Sequence, residues 1–184
     1  MEIKALSGAI AALGVLAGST GSAYAAKFAT AFSVDITEGD FLVGETFSGQ
    51  VTYDDSQLNG MGTELVDINT GLDSLIFNFV GPDLTTPATY TAADDATGNG
   101  FPIAIFEDGM LAGLNYSAEV SSNIAFQFLE EPFGSGEYVF FTDDFSTFAF
   151  NTGTVSFAAP KPVPEPGLAL GLVAVCGLAA RRKR

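Results

Sequence analysis

Between residues 28 and 160, apolar and polar positions alternate with a period of two. Phe32, Val34 and Ile36 are separated by Ser33 and Asp35. Phe47, Val51 and Tyr53 fall on one face, with Thr46, Ser48, Gln50 and Thr52 on the other. The same rhythm returns at Leu75, Phe77 and Phe79, then at Ile124, Phe126 and Phe128. Segments 138–141, 145–150 and 154–157 continue it. Each reads as a half-buried strand, and no stretch here has a helical apolar period. Turn formers punctuate the strands: Asn59-Gly60, Gly98-Asn99-Gly100, Asp108-Gly109, Gly134-Ser135-Gly136 and Asn151-Thr152-Gly153. Segment 101–116, centred on Glu107-Asp108-Gly109, predicts a hairpin. Eight to ten short strands at this spacing predict an all-β domain over 26–159, a jelly-roll-like β-sandwich.

The two ends break the pattern. After Met1-Glu2-Ile3-Lys4 comes an apolar run from Ala5 to Ala17, then small residues ending in Ala23-Tyr24-Ala25. A basic start, an apolar centre and an A-x-A site are the parts of a secretory signal peptide. Residues 1–25 are expected to be removed by signal peptidase, with Ala23 and Ala25 forming the cleavage site. At the other end, alternating prolines from Pro160 to Pro166 form an extended linker. An apolar run from Gly167 to Ala180 follows, then Arg181, Arg182, Lys183 and Arg184. As a helix this 14-residue run spans about 21 Å. That is short of a hydrocarbon core of about 30 Å. The basic cluster is expected to stay cytoplasmic while the domain lies outside.

Val163, Pro164, Glu165 and Pro166, the short apolar helix over 167–180 and the basic tail over 181–184 resemble, in that order, the PEP-CTERM sorting signal. The resemblance covers residues 160–184. It implies an exosortase as processing partner and transient insertion of the tail in the inner membrane. It also implies delivery to the cell surface or extracellular matrix of a Gram-negative bacterium, among exopolysaccharide and biofilm components.

Composition narrows the chemistry of the domain. The chain holds 22 acidic and 7 basic residues, yet none of the bases lies between Phe28 and Pro160. Only Glu2 and Glu165 lie outside that stretch, so it carries 20 carboxylates. Such a polyanion repels phosphate backbones, which excludes nucleic acid as a partner. No salt bridge to Lys or Arg can form within the stretch. Its carboxylates must be solvated, hydrogen-bonded to backbone N–H groups, or neutralised by cations. The chain has no His, and its single Cys, Cys176, lies in the tail. Triad catalysis and His- or Cys-based metal sites are therefore absent. All 17 Phe lie between Phe28 and Phe157, enough for a dry core without disulfides.

Candidate chemistry rests on acids and tyrosines. The doublets Asp54-Asp55, Asp94-Asp95, Glu130-Glu131 and Asp143-Asp144 read first as solubility and edge protection. As a glycosidase pair, two carboxylates would have to converge in a cleft. Asp67, Asn69 and Asp73 surround Gly71 and are candidate Ca²⁺ ligands, although the spacing is not that of an EF-hand. The leading expectation is a non-enzymatic surface or matrix protein. A carbohydrate-binding module is the alternative, with Tyr53, Tyr90, Tyr116 and Tyr138 as its aromatic platform if they are exposed.

Overall fold

A computed structural model describes residues 27–98, 101–130 and 138–164, with nothing stated for the side chains of Glu130 and Tyr138. The described chain is all-β. Its strands are β1 (Lys27–Gly39), β2 (Thr46–Asp54), β3 (Thr63–Asp67), β4 (Leu72–Val80), β5 (Pro87–Thr91) and β6 (Ile103–Glu107). They continue as β7 (Met110–Ser121), β8 (Ile124–Glu130), β9 (Tyr138–Asp144), β10 (Ala149–Phe157) and the two-residue β11 (Lys161–Pro162). Two single 3₁₀ turns, Asp55–Gln57 and Ala92–Asp94, complete the elements. Among the described residues no helix is long and apolar enough to cross a membrane. The expected signal peptide and the apolar run 167–180 lie outside the described residues.

The hydrogen-bond ladder forms one antiparallel sheet in the order β3-β6-β7-β8-β9-β10-β1-β2-β4-β5, with β11 added to β1. The expected pair of separate sheets is thus replaced by one continuous ladder. The reason lies in its longest strands. β1 runs for 13 residues and pairs with β2, β10 and β11, so it carries the ladder across the middle of the domain.

The sheet curls over its apolar face. Phe77 on β4 meets Phe126 and Phe128 on β8 and Phe140 on β9, with ring centroids 5.1–5.7 Å apart. β4 and β8 are not ladder neighbours, so these contacts are made across the curl. Phe32 on β1 joins them, edge-on to Phe128 at 5.6 Å. Gly49 sits opposite Phe32 in the β1–β2 register, and a Cβ there would collide with the Phe32 ring. The missing side chain makes the room for that phenylalanine.

The inward-facing alternation is as the sequence predicts: Val34, Val51, Tyr53, Leu75, Phe77, Phe126 and Phe128 are all buried. The hairpin centred on Asp108-Gly109 also forms. β6 and β7 pair across it, and both turn residues have positive φ, as a two-residue type I′ turn needs. Asn151-Thr152-Gly153 differs from expectation. These residues lie inside β10 rather than in a turn, and the turn is at 145–148. Gly153 is needed for close approach: a Cβ there would press on the Asp35 carbonyl of β1. Asn151 is wholly buried and accepts hydrogen bonds at Oδ1 from the Phe41 and Leu42 N–H groups, at 3.1 and 3.0 Å.

The strand register gives the molecule two ends. At one, Lys27 pairs with Asp54 and Phe28 with Pro162. At the other, Gly39 pairs with Asn151, and the loops 40–45, 81–86, 122–123 and 145–148 gather. Along β1 the two are about 40 Å apart at roughly 3.3 Å per residue.

Because Phe77 joins both halves of the curl, Phe77→Ala is expected to cost about 3–5 kcal/mol. That is a large part of a typical stability of about 5–15 kcal/mol. Denaturant titration checks this. A loss of less than about 1 kcal/mol would contradict the described packing.

Candidate functional site

The sequence candidates separate once placed on the fold. Asp67 closes its own turn: its Oδ1 accepts from the N–H groups of Asn69 (2.7 Å) and Thr70 (2.9 Å) and from Thr70 Oγ1 (2.9 Å). These bonds, led by the Asn69 N–H, hold its carboxyl below the usual range. Asp73 stands on β4 and takes Lys27, just outside the base-free stretch, as a salt-bridge partner at 2.6 Å. Asn69 contributes its backbone N–H to the Asp67 turn. The structure therefore gives Asp67 and Asp73 separate local partners. Among the described residues no three acidic side chains group closely enough to hold a metal ion.

The doublets also serve locally. Asp54 accepts from the Ser56 N–H, Asp94 from the Thr91 N–H and Asp95 from the Thr97 N–H. Asp144 accepts from Ser146 and Thr147 around the β9–β10 turn, bonds that lower its pKa, whereas burial raises that of neighbouring Asp143. The side chains of Glu130 and Glu131 lie outside the described residues. So do Ala23, Ala25, Glu165, Pro166, Arg181, Arg182, Lys183 and Arg184.

Three of the four candidate platform tyrosines are core residues. Tyr53, Tyr90 and Tyr116 are buried, and the hydroxyls of the latter two donate to the carbonyls of Val80 (2.9 Å) and Thr91 (2.8 Å). Burial pushes all three phenols up. None of them can stack on an external ligand. The Tyr138 side chain lies outside the described residues.

The structure also has a concave feature that was not legible as a motif. A cleft of about 470 Å³ opens at the loop end of the sheet, between the β1–β2 and β4–β5 loops. Its apolar lining includes Phe41, Leu42, Phe47 and Leu84; its polar lining includes Glu45, Ser48, Asn78 and Thr85. Glu45 is its only acidic lining residue among the described residues, whereas glycoside hydrolysis requires two.

Both rim loops are pinned from behind. Asn151 holds Phe41 and Leu42 as described. In the β4–β5 loop, Asp83 accepts from the N–H groups of Thr85 (3.0 Å) and Thr86 (2.8 Å) and from Thr86 Oγ1 (2.6 Å). Gly81 and Thr86 close the loop at 2.7 Å, and Leu84 donates to the Gly81 carbonyl at 2.9 Å. This grip keeps Leu84 in the left-handed region at φ 58°, where a leucine is rarely found. The Thr86 hydroxyl and the two backbone donors hold the Asp83 carboxyl far below the ordinary carboxylate range. The same end also exposes Val43, Phe145, Phe148 and Phe150.

Two outcomes check the pinning. Asn151→Ala leaves the buried Leu42 N–H and the half-buried Phe41 N–H without their acceptor and is expected to cost about 1–3 kcal/mol in denaturant titration. For Asp83→Ala the sign follows from a lowered folded pKa: the stabilisation is present above the unfolded value of about 3.9 and is lost as pH falls. The melting-temperature deficit of the variant is thus expected to be full near neutrality and to shrink steadily in acid. A deficit that grows in acid would contradict the assigned bonds.

Compared with protein-family models, curated proteins and solved structures, the chain finds no match in any of the three.

Proposed function

We propose that this chain is an exported, non-enzymatic cell-surface or extracellular-matrix protein, delivered by a signal peptide and sorted by an exosortase through its C-terminal tail. The observation that carries the reading is where the two ends of the folded domain leave it. Lys27, two residues beyond the expected cleavage site at Ala25, opens β1. Val163, the first residue of the sorting motif, donates its N–H to the Lys27 carbonyl at 2.8 Å. Both segments to be processed thus attach at one end of the sheet, about 40 Å along β1 from the loop end. In the precursor the domain sits outside the inner membrane. Segment 167–180 inserts transiently, and residues 181–184 remain on the cytoplasmic side. The two halves of the curled sheet act as the facing layers of a jelly-roll-like sandwich. The partners are signal peptidase and exosortase during processing, then extracellular polysaccharide and other biofilm components.

Intact-mass measurement of the protein from its native host tests delivery. Mature chains are expected to begin near Ala26 and to lack Arg181, Arg182, Lys183 and Arg184. Replacing those four residues by Gln is expected to leave precursor in the wrong fraction. Mature protein that keeps the basic tail, or sorting unchanged by the replacement, would overturn the reading.

A further inference from the structure

We propose that Asn59-Gly60 is a latched self-modification site: cyclisation that would convert Asn59 to aspartate or isoaspartate is held off by the Glu64 carboxylate. The proposal concerns the folded domain alone and does not rest on the delivery reading.

The reaction needs only the chain and water. The Gly60 nitrogen attacks Asn59 Cγ and forms a new N–Cγ bond. Its proton passes by way of solvent to Nδ2, the Cγ–Nδ2 bond breaks, and ammonia leaves a five-membered succinimide. Water then opens the ring. Opening at Cγ restores the main chain with aspartate at 59. Opening at the main-chain carbonyl leaves the chain running through the side chain, as isoaspartate. Bulk on the following residue hinders the attack, and glycine hinders it least. Among the described residues Asn59 is the only asparagine followed by glycine; the others are followed by β-branched or aromatic residues. Asn59 and Gly60 are both exposed, and no atom lies within 4 Å of where a Gly60 Cβ would stand.

Glu64 occupies both partners of that attack. Its Oε1 accepts from the Asn59 backbone N–H (2.7 Å) and from Asn59 Nδ2 (3.2 Å), while its Oε2 accepts from the Gly60 N–H (2.9 Å). The electrophilic amide and the nucleophilic nitrogen are thus held on separate oxygens, and both must be released before they can meet. A negative acceptor also opposes loss of the Gly60 proton. The same bonds, led by that from the Asn59 N–H, hold the Glu64 carboxyl below the usual range, which makes it a poor base. The sheet sets the latch. Glu64 stands on β3 opposite Phe106 of β6. Just before it, the Gly62 N–H donates to Asp108 Oδ1 (2.8 Å) and the Asp108 N–H donates to the Gly62 carbonyl (2.9 Å).

Conversion would undo the latch in one direction. An acid at 59 has no Nδ2 donor, and it sets a second carboxylate beside Glu64 in a stretch without Lys or Arg. The loop that leads into β3, an edge strand of the sheet, would lose its tie.

The test incubates the mature protein, purified from its exporting host, in mildly alkaline buffer, both native and in concentrated urea. Trypsin has no site within residues 28–160, so chymotryptic peptides are used. They report the amide-to-acid mass gain at Asn59, and chromatography separates the isoaspartate form. Native conversion is expected to be at least about ten-fold slower than in urea, the factor carried by one hydrogen bond to a charged acceptor. Native Glu64→Ala is expected to recover about that factor at Asn59 and to leave Asn69, exposed in the next turn, unchanged. Glu64→Gln keeps the size of the side chain and one acceptor oxygen, so its rate is expected to fall between the two; it decides the matter where Glu64→Ala melts early.

Native conversion as fast as in urea overturns the proposal without recourse to a variant. So does a normally melting Glu64 variant that converts Asn59 no faster than the parent. Slower conversion in that variant would make Glu64 a promoter of the reaction, the opposite of a latch. Equal acceleration at Asn69 and Asn59 would trace the effect to general loosening and also overturns it.

Discussion

The contact between Phe77 and the rings of Phe126, Phe128 and Phe140 is the one on which the rest of the structure depends. A single antiparallel sheet is a ribbon, and backbone hydrogen bonds alone do not curl it. Curling requires a reason for β4 to leave solvent and lie over β8 and β9. Phenylalanine supplies it: a large apolar ring with no polar group to satisfy, packing edge-to-face with Phe126 and Phe128 and tilted against Phe140, at 5.1–5.7 Å. Tyr90 and Tyr116 join this cluster with their hydroxyls donated to the backbone carbonyls of Val80 and Thr91. The curl brings the chain after β5 back to β7, where Asp95 and Ala118 form a lone bridge and Ala96 donates to the Ser117 carbonyl at 2.8 Å.

Charge imposes the second constraint. Residues 28–160 hold 20 carboxylates and no base; Asp73 draws on Lys27 from just outside that stretch, and the acids at the turns need donors that are not cations. They find them in those same turns. Glu64 accepts from the N–H groups of Asn59 and Gly60, Asp108 from Gly62, and Asp40 from Phe150. Asp67, Asp83 and Asp144 hold complete turns by themselves. A carboxylate that accepts backbone N–H bonds at a turn satisfies donors the ladder leaves unpaired, so the acids at the loops are structural before they are anything else.

Much of this was legible from alternation alone. Period-two patterns identify β1, β2, β4 and β8, and Asp108-Gly109 identifies the β6–β7 hairpin, because strand burial and positive-φ turns are local properties. What depends on residues distant in sequence was not legible. Asn151 reads as a turn residue until β10 is laid against loop 40–45, some 110 positions earlier. Gly153 likewise reads as a turn former, whereas its role is to let β1 approach. Tyr53, Tyr90 and Tyr116 read as candidate platforms because their side chains have polar tips; only the fold supplies the carbonyls that let Tyr90 and Tyr116 be buried. The cleft has no sequence signature, since its two walls come from separate loops that the register of β1, β2, β4 and β5 brings together.

The prolines after residue 159 show how a short pattern can serve the fold. Successive N–H groups of a strand point to opposite edges. The Val163 N–H points inward to the Lys27 carbonyl, and Pro162 pairs with Phe28. Residues 162 and 164 are the positions whose N–H would face outward, and both are proline, with no N–H to offer. The last segment can therefore zip onto β1 while presenting no donors to another strand on its free side. An unprotected edge at this point would sit beside the opening of the domain and invite pairing between neighbouring copies. The alternation that reads in sequence as a loose linker is thus compatible with an ordered strand up to Val163. Pairing with β1 thus reaches Pro162, and Val163 adds its N–H to the Lys27 carbonyl.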